Sequence, residues 1–325
     1  MPVCIAGMHR SGTSMVAQAL ATCGLELGAE DELMRASPSN EQGHWEHEGF
    51  VALADELLAR LGGGWDVPPP VDEAWAERPE LEDLRERAGD LAAHFDGHEP
   101  WGWKDPRSSL TVPFWRSVLP NLRVVVCLRH PVEVARSLTL RGASSQRFGL
   151  ELWLAYTKRL LADTSPEERV VTHYGSYFHD AERELRRLCE ALGLEGEQDR
   201  VRAAAGTAVA GDLRHNRADE GATAELTDEM LRAYAALCAE AGPVFRDVLA
   251  DEPFFPLPPD PPAPLLDLIR GQVPAKAAAS AELRLRVRQE AKRAARLEER
   301  LAGIERSRSY RLTAPIRRLR RRSGS

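Results

Sequence analysis

The strongest constraint on the fold of this chain is the segment Gly7–Ser14, which reads Gly-Met-His-Arg-Ser-Gly-Thr-Ser. The apolar stretch before it, Val3–Ala6, predicts a short buried strand, and Met15–Cys23 after it predicts a helix that ends at Gly24. A strand, a glycine loop and a helix in this order direct backbone N–H groups and a helix N-terminus at one anionic group. The segment therefore predicts a phosphate-binding loop in an α/β fold.

This loop lacks the lysine of a nucleoside triphosphate site. The pattern G-x-x-x-x-G-K-[ST] would place a lysine where Thr13 stands, and the cation inside the loop is instead Arg10. Gly7 and Gly12 allow the backbone to approach an anion closely, and the hydroxyls of Thr13 and Ser14 add donors. These features favour a phosphate-like ligand other than a hydrolysed nucleoside triphosphate.

Strand and helix patterns alternate along the rest of the body. Three further strands are predicted, at Gly102–Lys104, Arg123–Leu128 and Arg169–Tyr174. Helical periodicity falls at Glu48–Leu61, Glu80–Phe95, Thr111–Leu119, Val132–Leu140, Phe148–Asp163, Ala181–Leu192 and Thr227–Ala241. This alternation predicts a parallel sheet of the phosphate-loop type with helices on both faces.

The composition divides the chain into a body and a C-terminal extension. The 325 residues are 43% hydrophobic, enough for one large domain, which we assign to residues 1–252. Pro253–Pro264 holds seven prolines and predicts an extended linker. Residues 265–306 predict a helix whose heptad of apolar residues indicates either a coiled-coil homodimer or a single solvated helix. Residues 307–325 form an arginine-rich tail.

Charge is distributed unevenly. Residues 270–322 contain 17 Lys and Arg and five Asp and Glu, a net charge of +12, whereas the whole chain has a net charge of −7. Such a tail suits an anionic membrane surface or the acidic body of a neighbour, and we expect no nucleic-acid partner. The sequence has no run of 18 apolar residues, no signal-peptide pattern and no C-x-x-C spacing among its five cysteines. We therefore expect a cytoplasmic protein with buried thiols. This protein is either unattached in the cytoplasm or peripheral at the inner face of the membrane.

A second motif begins where the predicted strand Arg123–Leu128 ends. Arg129 follows this strand, Pro131 opens the next helix, and Ser137 lies eight residues after Arg129. Residues at the carboxyl ends of strands face the ligand crevice of an open α/β sheet. An arginine fork beside a hydroxyl group can bind a phosphate that is separate from the one in the loop.

Together, the loop and this motif resemble the sulfotransferases that use 3′-phosphoadenosine 5′-phosphosulfate (PAPS), over residues 3–250. The resemblance implies that the loop holds the 5′-phosphosulfate, with Arg10 in the place of the usual lysine. It also implies that Arg129 and Ser137 hold the 3′-phosphate. The stretch around Tyr174 resembles a family segment near adenine, although Gly175 and Ser176 replace its acidic pair. The donor-binding residues implied in this way are Arg10, Ser11, Gly12, Thr13, Ser14, Arg129, Ser137, Tyr174 and, from a late basic loop, Arg214.

A third segment supplies candidates for the chemistry. Residues 40–48 resemble the G-[YFW]-[WF]-E segment of bacterial sulfotransferases. Transfer to an alcohol needs a base for the hydroxyl proton, and Glu46 is the first candidate, followed by His44 and Glu48. Alternatively, Glu46 only precedes or caps the next helix. Lys104, in the family-like run Lys-Asp-Pro-Arg, either stabilises charge on the transferring group or forms a salt bridge with Asp105 or another acid.

The resemblance implies PAPS as the sulfuryl donor, no metal, and a hydroxyl acceptor that is a glycan, a glycolipid or a small metabolite. Trp45, Trp65, Trp101 and Trp103 are candidates for stacking on a sugar or adenine, with core packing as the alternative. Two other functions remain open from the sequence. One is a small-molecule kinase of the phosphate-loop class, and the other is a non-catalytic, membrane-associated nucleotide-binding protein.

Overall fold

Four parallel strands form the central sheet of the computed structural model, which describes residues 1–34, 43–140, 145–195, 197–209 and 226–251. The strands are β1 (Pro2–Ala6), β2 (Trp101–Lys104), β3 (Arg123–Leu128) and β4 (Arg169–His173). Their order in the sheet is β2-β1-β3-β4. All four strand predictions are confirmed, each within one residue of the observed bounds.

The described residues contain ten α-helices. They are α1 (Thr13–Thr22), α2 (Glu48–Arg60), α3 (Glu82–Ala93), α4 (Val112–Val118), α5 (Pro131–Leu140), α6 (Gln146–Asp163), α7 (Ser176–Leu192), α8 (Gln198–Val209), α9 (Asp228–Glu240) and α10 (Gly242–Asp251). The prediction missed α8, whose run of alanines gives a weak apolar period, and α10, which begins at a Gly-Pro pair. It also began α7 five residues late, because the helix is kinked at Asp180.

Side chains of the strands are buried on both faces of the sheet. Cys4, Ala6, Val124 and Val126 belong to one core, which includes residues of α2 and α6, whereas the alternate residues of these strands belong to a second core with α1 and α7. This arrangement confirms the predicted parallel sheet covered on both faces. All five cysteines are free and buried, as expected from their spacing.

The order of the strands brings three loops together at the carboxyl edge of the sheet. The chain passes from β1 to β2 on one side and then crosses to β3 on the other side of β1. An open α/β sheet binds its ligands at such a switch point. Within the sheet, Lys104 pairs with Ile5 and Val126 pairs with Ala6, so the ends of β2 and β3 flank the loop after β1.

The predicted linker, heptad helix and tail of residues 253–325 lie outside the described residues. The described residues all belong to one compact unit of the chain. None of the described helices is both long and apolar enough to cross a membrane.

Candidate active site

Two glycines give the Gly7–Ser14 loop its shape. Gly7 has φ +135°, and a Cβ there would lie 2.4 Å from the carbonyl oxygen of Cys127. Gly12 has φ +88°, and a Cβ there would lie 2.6 Å from the ring of Tyr174. Both conformations are in the region that favours glycine, and neither site has room for a side chain. The loop is therefore fixed between β3 and Tyr174.

The loop leaves donors available for an anion. Gly12 is the N-cap of α1, and no side chain in the described part of the chain caps this helix end. The Ser11 side chain is 2% exposed, and its hydroxyl has no hydrogen-bond partner among the described residues. A buried hydroxyl without a partner beside a helix N-terminus that no side chain caps is costly unless an acceptor is bound. These residues, with Thr13 at the first helical position, fit the phosphosulfate end of the predicted donor.

Arg10 joins the loop to the second motif. Its backbone has φ +74°, and its Nε donates a hydrogen bond of 2.9 Å to the Ser137 hydroxyl. Nη1 of Arg129 donates to the carbonyl oxygen of Arg10 at 3.3 Å. The sequence suggested one cation for each phosphate. In the structure the guanidinium of Arg10 instead donates to Ser137, so the cation expected at the loop's phosphate lies at a residue of the predicted 3′-phosphate site.

Arg129 is buried and held from two sides. Its Nε donates to Glu133 Oε2 at 2.8 Å, and its guanidinium carbon lies 4.2 Å from the centre of the Tyr174 ring. Tyr174 thus contacts both Arg129 and the position of Gly12, which places it in the predicted site. Sequence reasoning missed Glu133, although an acidic residue four positions after Arg129, in the first turn of the following helix, was a usable signal.

Lys104 and Glu46 form a buried ion pair. Lys104 Nζ donates to Glu46 Oε1 at 2.7 Å, and both side chains are at most 10% exposed. Burial lowers the pKa of Lys104 below its usual value, and the Glu46 carboxylate opposes this shift. The salt bridge that the sequence offered as an alternative role for Lys104 is therefore made with the candidate base itself.

The other residues of the third segment have separate positions. His47, not Glu46, caps α2, because its Nδ1 accepts a hydrogen bond from the backbone N–H of Gly49 at 3.1 Å. Glu48 is the first residue of this helix and is exposed. His44 is half-buried, and its carbonyl oxygen accepts from the Ser14 hydroxyl at 3.2 Å, which ties this segment to α1.

Arg107 is a charged residue of this region to which the sequence gave no role. It lies in the short 3₁₀ helix Pro106–Leu110 that follows β2. Its Nε donates to Asp105 at 2.8 Å, its Nη1 donates to Asp55 at 2.8 Å, and its Nη2 lies 3.6 Å from Glu46 Oε2. Burial raises the pKa of Asp105 to about 6 against the opposing effect of Arg107.

The tryptophans separate into core and site residues. Trp101 and Trp103 stack on Phe95 and Phe50 inside the core, as the packing alternative predicts. Trp45 is partly buried against the second core.

Trp65 lies edge-on to His9 of the loop, with ring centroids 4.8 Å apart, and its carbonyl oxygen accepts from the Tyr156 hydroxyl at 2.6 Å. Trp65 is thus a half-buried aromatic residue beside the loop.

Two parts of the predicted site lie outside the described residues, namely Arg214 and residues 40–42. Across the described ranges, no group of three or more His, Cys, Asp or Glu is arranged to hold a metal ion.

Three solved structures are similar in fold, all at low identity. The sulfotransferase domain from the curacin biosynthetic pathway is 17% identical, covering 73% of this chain and 98% of that one, with a TM-score of 0.44. Sulfotransferase STF1 from Mycobacterium tuberculosis is 15% identical, covering 69% and 75%, with a TM-score of 0.42. Sulfotransferase STF9 from Mycobacterium avium is 16% identical, covering 77% and 76%, with a TM-score of 0.38.

The family assignment depends on a sequence comparison. A comparison with curated proteins gives no significant match. The model of the sulfotransferase family matches residues 2–199, more than half of the chain, and this range contains the loop, the Lys104–Glu46 pair and the Arg129/Ser137 motif. The chain therefore belongs to the sulfotransferase family and is a PAPS-dependent sulfotransferase enzyme.

Proposed function

We propose that this enzyme transfers the sulfuryl group of PAPS to a hydroxyl group of a glycan, a glycolipid or a small metabolite, with Glu46 as the base. The observation that carries the proposal is the hydrogen bond from Arg10 to Ser137, which joins two motifs although 127 residues separate them. A donor with phosphates at both its 3′ and 5′ positions needs two such sites next to each other. ATP would not use the second site.

The residues present fit this donor. The N–H groups at the start of α1 and the hydroxyls of Ser11 and Thr13 would hold the 5′-phosphosulfate, whereas the Ser14 hydroxyl donates to the His44 carbonyl oxygen. Arg129, Ser137 and the guanidinium of Arg10 would hold the 3′-phosphate, and the Tyr174 ring would border the adenine. When bound, PAPS supplies the sulfuryl group, and 3′-phosphoadenosine 5′-phosphate (PAP) is the product that leaves.

The Lys104–Glu46 pair supports the chemical step. Glu46 Oε1 already accepts from Lys104 Nζ, so Oε2 is the oxygen that takes the proton of the acceptor hydroxyl. The proton leaves the acceptor oxygen as that oxygen bonds to sulfur and as the bond from sulfur to the phosphate oxygen breaks. Lys104, buried beside the loop, stabilises negative charge that develops on the transferring group. His44 is the second candidate for the base.

The matched pair Glu46→Gln and Glu48→Gln tests the base, since Glu48 lies two residues away on the exposed start of α2. We expect Glu46→Gln to lower kcat by about 10²–10⁴-fold while PAP binds with unchanged affinity, and Glu48→Gln to keep its rate. The readout is transfer of labelled sulfate to a panel of hydroxyl acceptors, with circular dichroism as the folding control. A Glu46→Gln variant at full rate beside an inactive His44→Ala variant would instead assign the base to His44.

A further inference from the structure

Arg107 lies among three carboxylates that come from three parts of the chain. Asp105 directly follows β2, Asp55 lies on α2, and Glu46 precedes α2. The Arg107 side chain is 9% exposed and that of Asp105 is 1% exposed, whereas the Asp55 side chain is 57% exposed. One buried cation therefore connects the candidate base to a carboxylate at the protein surface.

The guanidinium of Arg107 has a fixed orientation. Its Nε donates to both carboxylate oxygens of Asp105, at 2.8 and 3.1 Å, and its Nη1 donates to Asp55 at 2.8 Å. Because the group is planar, these contacts determine where Nη2 lies. Nη2 faces Glu46 Oε2 at 3.6 Å, close enough for an ion pair but longer than a hydrogen bond.

The two oxygens of Glu46 consequently differ. Oε1 accepts from Lys104 at 2.7 Å, while Oε2 lies near the charge of Arg107 at a distance longer than a hydrogen bond. We propose that Asp55, Asp105 and Arg107 are positioning residues that hold the Glu46 carboxylate so that Oε2 takes the proton of the acceptor. This inference rests on the proposed role of Glu46 as the base.

Helix α2 allows a matched test of Asp55, the exposed carboxylate that contacts Arg107. Asp55 holds Arg107, whereas its neighbour Glu56 holds Arg60 and Arg87 at the surface, at 2.6 and 2.7 Å. We expect Asp55→Ala to lower kcat/KM roughly tenfold through misplacement of the base, and Glu56→Ala to stay within about twofold of the wild type. Both variants should bind PAP with wild-type affinity.

The split between kcat and KM separates positioning from a merely structural role. The double variant Asp105→Asn/Arg107→Met removes the buried pair together, so that no charge is left uncompensated. It should lower kcat roughly tenfold while PAP binds with wild-type affinity, because only the placement of the Glu46 carboxylate changes. Arg107→Lys keeps the positive charge but lacks the planar fork, so it should lose rate as well.

Two outcomes would overturn the proposal: an Asp55→Ala variant as active as Glu56→Ala, or a double variant with wild-type kcat. A failure of the base assignment gives a different result, because Glu46→Gln would then remain fully active. If Glu46→Gln is inactive and the double variant keeps its kcat, the base assignment stands and the positioning role is wrong.

Discussion

Arg129 shows how much one side chain contributes to this site. It donates to Glu133, donates to the backbone of Arg10 and lies over the Tyr174 ring. Glu133 is 2% exposed, so removal of Arg129 alone would break a buried ion pair, at a cost of about 3–5 kcal/mol of stability. An Arg129→Ala variant would therefore lose stability as well as any contact with the nucleotide, and the two effects could not be separated.

The double variant Arg129→Met/Glu133→Gln avoids this difficulty. If Arg129 holds the 3′-phosphate, the variant should bind PAP about 10–100-fold more weakly, the range for lost hydrogen bonds to a charged group. AMP has no 3′-phosphate, so its affinity should hardly change. Calorimetric titrations with both nucleotides make the comparison, and an equal loss for PAP and AMP would refute the assigned role.

At the scale of elements, the loop and α1 act as one unit because of Gly12. This residue begins the helix with a positive φ and lies against the Tyr174 ring, so the first turn of α1, the loop and the end of β4 meet there. The ring leaves no space for a larger residue at this position. The geometry of the loop and the position of the Tyr174 ring are consequently linked through one backbone position.

Gly12→Ala should lower both stability and donor affinity. The positive φ costs about 1 kcal/mol, and the added methyl group must push the Tyr174 ring aside. Gly89→Ala in α3 is the matched control, because a Cβ there meets no atom within 4 Å; it should gain about 0.5–1 kcal/mol. Thermal melts and PAP titrations of both variants give the comparison, and a Gly12→Ala variant with wild-type PAP affinity would contradict this role of the loop.

At the scale of the whole molecule, the local patterns predicted the sheet well. A valine-rich run such as Arg123–Leu128 predicts a buried strand from a few consecutive residues, and the glycines of the loop predict its turn in the same way. The sequence indicated Glu46 and Lys104 as site residues but gave no role to Arg107. The contacts among these three residues depend on which strands become neighbours. The contact between Arg107 and Asp55 joins residues 52 positions apart, and no local period encodes such a contact. Helix α8 was missed for a different reason, because its buried stripe of Val201, Ala204 and Ala208 consists mostly of alanine, which gives a weak apolar signal.

The basic segment of residues 270–322 leads to a prediction for the intact chain. We propose that its net charge of +12 draws the enzyme to anionic membrane surfaces, where a glycolipid acceptor would be found. The full chain should sediment with phosphatidylserine vesicles at low salt and be released as salt rises, whereas a chain without residues 265–325 should stay in solution. Equal sedimentation of both chains would argue against a membrane role and leave the coiled-coil homodimer as the proposed use of this segment.

The fold, the hydrogen bond from Arg10 to Ser137 and the family assignment all lead to a donor with two separate phosphates. Calorimetric titration of the intact enzyme with PAP and with AMP tests this requirement, because the two nucleotides differ by the 3′-phosphate alone. We expect PAP to bind at least roughly tenfold more tightly, the value of one or two hydrogen bonds to a charged group. Equal affinities for PAP and AMP would contradict the second phosphate site and, with it, the assignment of PAPS as the donor.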